Sequence, residues 1–148
     1  MSNIVKATVK ITGVRPLLWH HFGPDAIPLE KKERTGVAGN DPEEWKRSVL
    51  MTPKRQLYIL PTYLFGCLRN AAKFTKKGKG SIQADVSATL QVMDDIILVD
   101  RFVPEAPTHN ARTEPVYIDV SSVKNPTTKA RNVRYRVAAS SGWQLSFT

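Results

Sequence analysis

Alternation is what constrains this chain most. Val5, Ala7, Val9 and Ile11 fall on one side of residues 4–12, and Lys6, Thr8, Lys10 and Thr12 on the other. That period of two belongs to a half-buried strand. It returns where Val133, Tyr135 and Val137 alternate with Arg134 and Arg136, and where Trp143, Leu145 and Phe147 alternate with Gln144 and Ser146. Ser140-Ser141-Gly142 lies between these last two runs and predicts an antiparallel pair joined by a turn. Residues 56–60 read as a further short strand, and Ile96-Ile97-Leu98-Val99 as a buried one. Val116, Ile118 and Val120 allow another strand, as a hairpin arm.

The helical period appears in only two places. After Pro61-Thr62, residues Leu64, Leu68, Ala71, Ala72 and Thr75 share one side. Phe65, Arg69, Lys73 and Lys76 form a second stripe, and Lys77-Gly78-Lys79-Gly80 stops the helix. Ser81 is placed to cap a second helix spaced by Ile82, Val86, Leu90 and Met93, with Asp94-Asp95 turning the chain beyond it.

Two stretches break the pattern. Residues 23–56 hold Pro24, Pro28, Pro42, Pro53, Gly36 and Gly39 among dense charge, with Glu30-Lys31-Lys32-Glu33-Arg34 as a possible helical run. Asp41-Pro42-Glu43-Glu44 reads as an N-cap, a first-turn proline and two acids, so a short helix should follow. Residues 101–132 carry Pro104, Pro107, Pro115 and Pro126. The order is strand, insertion, strand, helix, helix, strand, insertion, strand, strand. This predicts an α+β fold: a ferredoxin-like or RNA-recognition-motif-like antiparallel sheet with helices on one face and projecting insertions. At 148 residues the size suits one domain, 1–148, with insertions at about 23–56 and 101–132.

The charge balance points to a partner. There are 22 Lys+Arg against 13 Asp+Glu, a net +9. A positive field of that size on so short a chain fits a polyanion. The single cysteine, Cys67, excludes an internal disulfide and suits a reducing compartment. No signal-peptide pattern is read in the first residues, and no apolar run approaches the roughly 20 residues that span a bilayer. A cytoplasmic protein without membrane contact is expected.

Candidates for chemistry are few. His20 and His21 are adjacent, so on a strand they point to opposite faces and cannot easily share a metal; His109 is the only other histidine. Cys67, beside Leu64 and Leu68, reads as a buried inert thiol. Asp94-Asp95 fits a turn, and Glu43-Glu44 a helix's first turn. Asp25 and Asp41 are freer, but no acid–base pair, nucleophile elbow or phosphate loop stands out. No catalytic residue, metal or cofactor is expected.

The cations are more informative. Arg69, Lys73 and Lys76 beside Phe65, followed by Lys77 and Lys79, can track phosphates and stack a base. Lys124 and Lys129 lead to a second group, Arg131, Arg134 and Arg136. Trp19, Tyr58, Tyr63, Tyr117 and Tyr135 are further stacking candidates or core residues. Trp143 is expected in the core with Leu145 and Phe147.

The segment Leu57-Tyr58-Ile59-Leu60-Pro61-Thr62-Tyr63-Leu64-Phe65-Gly66-Cys67-Leu68-Arg69 resembles a motif of the RAMP superfamily of CRISPR-associated proteins. There a strand reading roughly Tyr-Ile-Pro-Gly leads into Ser-Ser-Leu-Lys-Gly-x-Leu-Arg. Tyr58, Ile59, Pro61, Leu64, Gly66, Leu68 and Arg69 match; Thr62-Tyr63 and Phe65 depart. The segment from Ile11 through Gly13-Val14-Arg15-Pro16 to Leu18 looks like that family's first strand. The chain also resembles compact proteins of phage and prophage origin in the segments Pro16 to His20, Leu60 to Phe74 and Gly142 to Phe147. The resemblance implies an RNA-recognition-motif-like core whose copies line up along a guide RNA. It implies RNA contacts at Arg69 and Lys73, extends the candidates to Arg15 and His20, and makes one insertion a projecting thumb.

The resulting expectation is a guide-RNA-binding subunit that multimerises along RNA, faces a complementary DNA or RNA target and does no cutting itself. The alternatives are a phage structural or assembly protein with a basic nucleic-acid-facing surface, or a non-specific single-strand-binding protein.

Overall fold

A computed structural model describes residues 3–23, 41–127 and 129–148. It is α+β with mostly antiparallel strands. The strands are β1 (Val9–Thr12), β2 (Leu17–Leu18), β3 (Gln56–Ile59), β4 (Lys76–Lys77), β5 (Gly80–Ser81), β6 (Ile97–Phe102), β7 (Val116–Lys124), β8 (Arg131–Ala139) and β9 (Gln144–Phe147). The helices are α1 (Glu44–Ser48), α2 (Pro61–Ala71) and α3 (Gln83–Thr89), with a 3₁₀ turn over Ala72–Phe74. Among the described residues no helix is long and apolar enough to cross a membrane.

The chain divides into two compact units. The first comprises Met1–Ile11, Tyr58–Val99 and Gln144–Thr148. Its sheet has the order β1-β9-β6-β3. Val99 pairs with Leu145 across β6 and β9, and opposite residues of an antiparallel pair share a face. Ile97, Val99, Leu145 and Phe147 are therefore buried together, while Leu98, Gln144 and Ser146 are exposed. Asp94 accepts the backbone N–H of Thr148 at 2.7 Å, and Thr148 accepts that of Met93, which ties down the end of β9. The expected strand over 4–12 pairs only from Val9, and Val5 remains exposed.

Pro61 begins α2 at a first-turn position, where its missing N–H has no helical partner to lose. The expected apolar side is only half covered. Among the described residues neither α2 nor α3 contains a buried residue; Leu64 and Phe65 are half-buried and Leu68 is exposed. Ala72, in the 3₁₀ turn, is buried. Cys67 is exposed, which corrects the expectation of a buried thiol: it lies on the outer side of the helix. Beyond Thr75 the chain forms a tight hairpin, Lys76 opposite Ser81 and Lys77 opposite Gly80, with Gly78 at φ +59°. Glycine suits that left-handed position. The N-cap of α3 is Ile82 rather than Ser81.

The second unit comprises Thr12–Leu57 and Asp100–Trp143, and its sheet has the order β2-β8-β7. β7 and β8 pair without a break from Val116↔Ala139 to Lys124↔Arg131. Val116, Tyr117, Ile118, Val137, Ala138 and Ala139 are buried at the base, and exposure rises toward the far end. The strand allowed at Val116, Ile118 and Val120 thus runs to Lys124, within the 101–132 stretch otherwise read as irregular. Within 23–56, residues 41–56 include the expected short helix; Asp41 accepts the N–H of Glu43, and Trp45 is buried. Residues 24–40, with Asp25 and the 30–34 run, lie outside the described residues.

The predicted β8–β9 hairpin does not form. Ser140 donates its N–H to Pro115 O, and Gly142, at φ +87°, donates its own to Gly13 O at 2.7 Å. The chain turns there instead of folding back, and β9 pairs with β1 and β6. Trp143 is half-buried rather than core. Its indole lies over Gly13 and its Nε1–H donates to Arg15 O at 2.9 Å. A Cβ on Gly13 would stand 1.9 Å from Trp143 Cε2. Gly13→Ala is therefore expected to cost about 1–3 kcal/mol in urea denaturation, because the indole must move. Gly66→Ala, inside α2 with no neighbouring atom within 4 Å of the new Cβ, should gain about 0.4–1 kcal/mol.

Candidate nucleic-acid interface

The first unit holds five of the cations singled out in the sequence: Arg69, Lys73, Lys76, Lys77 and Lys79. Arg69 is exposed on the last turn of α2, where the helix dipole favours a cation. The helix then tightens, so Lys73 sits in the 3₁₀ turn and Lys76 and Lys77 on β4. The Phe65–Arg69–Lys73–Lys76 stripe is thus not one helical face: α2 ends at Ala71. Lys79 occupies the hairpin turn beside Gly78. Lys77 pairs with Asp85 of α3 at 2.6 Å. The side chains of Arg69, Lys73, Lys76 and Lys79 make no hydrogen bond or ion pair among the described residues.

Phe65 is half-buried on the inward side with Leu64, so its ring is not the one offered to a base. The residue that sequence reading passed over is Phe74. It is 85% exposed, the most exposed aromatic in the described chain, and stands between Lys73 and Lys76. Its signal was present: it follows the apolar stripe of α2 but lies one position off it, next to lysines. Tyr63 is 46% exposed on the outer side of α2. Partial burial, with repulsion from Tyr58, raises its phenol above the ordinary value, so it stays a neutral donor.

The second unit treats its arginines differently. Arg134 Nη1 donates to Glu44 Oε1 at 2.5 Å, and Glu44 Oε2 also accepts the N–H of Tyr135 at 3.1 Å. Arg136 Nη2 donates to Asp119 Oδ2 at 3.1 Å and to Ser121 Oγ at 2.6 Å. Both guanidinium groups are half-buried and already hold a carboxylate, so neither is a free phosphate ligand. Arg131 is exposed; its Nη1 donates to Ser122 Oγ at 3.0 Å. Since opposite residues share a face, Arg131 lies on the other face of β8 from Arg134 and Arg136. Arg15 and His20 are exposed in the same unit, Arg15 in the bend after β1 and His20 after the buried Trp19. Tyr117 is buried and Tyr135 half-buried, with its ring edge-on to His109 at 5.7 Å. Trp19 and Tyr117 are core residues. Among the described residues no three metal-ligating side chains converge.

No protein-family model, curated protein or solved structure matches the chain.

Among the described residues, the segment from Arg69 to Lys79 brings exposed Arg69, Lys73, Lys76 and Lys79 together with the exposed ring of Phe74. The Glu44 cluster, by contrast, is structural. Glu44→Ala would leave a half-buried N–H and a guanidinium without their acceptor. It is expected to cost about 1–3 kcal/mol, read as a lower midpoint in denaturant.

Proposed function

We propose that this protein binds single-stranded RNA through the segment from Arg69 to Lys79. In that role it would act as a guide-RNA-binding backbone subunit that multimerises along the RNA and holds it toward a complementary target, with no cleavage of its own. The observation that carries the binding is Phe74, an aromatic ring left 85% exposed with Lys73 on one side and Lys76 on the other. An exposed ring costs solvation in the free protein, and a stacked base offsets it by about 1–3 kcal/mol. The surrounding cations meet the backbone, and each phosphate contact steepens the dependence on salt.

The guide role rests on the resemblance of 57–69 to the RAMP motif, which implies an RNA contact at Arg69. A ferredoxin-like core belongs to the same proposal. Its support is the four-stranded sheet with one buried and one exposed side. The helices α2 and α3 follow one another between β3 and β6, whereas a β-α-β-β-α-β core carries one helix in each half. Such a subunit would work in the cytoplasm, with base pairing supplying the sequence specificity.

Phe74 equally favours a second reading, a non-specific single-strand-binding protein, because stacking is tolerant of sequence. One experiment separates the two. The protein is expressed with its native flanking DNA and purified, and co-purifying nucleic acid is sequenced. Discrete small RNAs from a neighbouring repeat array support the guide role, and heterogeneous RNA supports the non-specific binder. Absence of nucleic acid points to a structural or assembly protein instead. With an RNA oligonucleotide, Phe74→Ala should weaken binding about 5- to 100-fold. Arg69→Ala with Lys73→Ala should weaken it and flatten its salt slope by roughly two, the fold remaining intact.

A further inference from the structure

The far end of the β7–β8 hairpin carries a charge arrangement that the fold itself does not explain. Lys124 and Arg131 are directly opposite in the ladder. Opposite residues of an antiparallel pair stand about 4.5–5.5 Å apart at Cβ on one face, and like charges there are destabilising. Among the described residues no acid relieves the pair. The side chain of Lys124 makes no hydrogen bond or ion pair, and that of Arg131 is held only by the hydroxyl of Ser122. Ser122 lies two residues before Lys124, on the same face.

The loop beyond is braced. Asn125 donates its N–H to Ala130 O at 2.8 Å, and its Oδ1 accepts the N–H of Thr127 at 2.8 Å. Lys129, at φ +60°, donates its N–H to Asn125 O and its Nζ to Pro126 O at 2.6 Å. The backbone under the two cations is therefore held in register. Closer to the core the same hairpin behaves in the opposite way, with an acid for each of Arg134 and Arg136. Compensation stops where the hairpin leaves the buried part of the unit.

We infer that the far end of the β7–β8 hairpin is a second phosphate-backbone contact, in which Lys124 and Arg131 flank one RNA phosphate and Lys129 adds a neighbouring charge. The inference rests on the RNA-binding reading above and moves the hairpin's contribution from Arg134 and Arg136 to these three residues. A phosphodiester offers two non-bridging oxygens, one for the guanidinium fork and one for the ammonium. Bound there, it turns the repulsion across the strands into attraction of both cations to one anion.

A cation pair that serves binding and opposes folding gives a signature that a merely structural pair does not. Lys124→Ser and the double variant Lys124→Ser/Arg131→Ser are made in the full chain. Thermal unfolding is followed without nucleic acid, and affinity for a fluorescent oligouridylate is measured over a salt series. Lys124→Ser is expected to raise Tm by about 1–4 °C. The same change should weaken oligouridylate binding about 3- to 10-fold. The double variant should lower the salt slope by roughly two. Unchanged affinity and slope in the double variant overturn the contact, whatever Tm does. A lowered Tm in Lys124→Ser overturns the repulsion argument. Tighter binding of duplex DNA than of oligouridylate, lost in the same variants, overturns the RNA assignment. If the unaltered protein binds no oligouridylate, the RNA reading itself fails. If only Phe74→Ala loses binding, the first-unit site stands and the hairpin contact alone falls.

Discussion

Between Ala138 and Tyr135, β8 changes from a strand paired on both edges to one paired on a single edge. β2 reaches only to Ala138, and Trp19 donates one more N–H to Val137 O. Beyond that point Glu44 takes the place of the missing strand. One of its oxygens accepts the N–H of Tyr135 and the other holds Arg134. An unpaired strand edge invites further pairing, and a covering helix is one way to blunt it. The short helix α1, anchored by the buried Trp45 and started by Asp41, is what presents the carboxylate. The hairpin can therefore extend outward from a secured base.

On the other edge of the ladder, Asn110 accepts the N–H of Val120 with its side chain, while its backbone donates to Ile118 O. Both flanks of the inner hairpin are thus occupied, and Asp119 and Ser121 engage the remaining guanidinium. Most polar groups here are satisfied, where burial makes an unsatisfied one expensive, although Arg136 Nε is buried without a partner. In the exposed outer part the sequence places cations and no acids. Solvent screens them there, so the fold tolerates them at small cost.

Much of the element order was legible. Period-two alternation located β7, β8 and β9, and Pro61 with the stripe after it located the start of α2. Local pattern does not reveal pairing partners. The alternation of β8 and β9 around a Ser-Ser-Gly turn favours a hairpin, but Ser140 and Gly142 are bound by Pro115 and Gly13, distant in sequence. Arg134 and Arg136 read as one cationic face for the same reason. Their acids lie 90 and 17 positions away, and no local rule connects them. The depth of burial of α2 was over-read: a helix buries its apolar side only against enough opposing surface. The buried apolar residues of the first unit are Ala72, Ile97, Val99, Leu145 and Phe147. The cations of the candidate site were legible as residues, but which of them remain free was not.

Two places that local stability leaves unfavourable are the ones that the proposed nucleic acid would complete. Phe74 exposes a ring that burial against the first unit would have stabilised, and Lys124 faces Arg131 where an acid would have stabilised the ladder. Some other cations do have an acid: Lys77 holds Asp85, Arg47 Asp41 and Lys46 Glu43. A ring exposed among lysines and a like-charge pair across a ladder depart from local consistency at specific points. Departures of that kind are expected at functional sites, where a ligand provides what the fold lacks. On the proposed reading, Phe74 would meet a flat apolar face and the hairpin cations closely spaced negative charge, and a single-stranded nucleic acid supplies these better than an acidic protein surface.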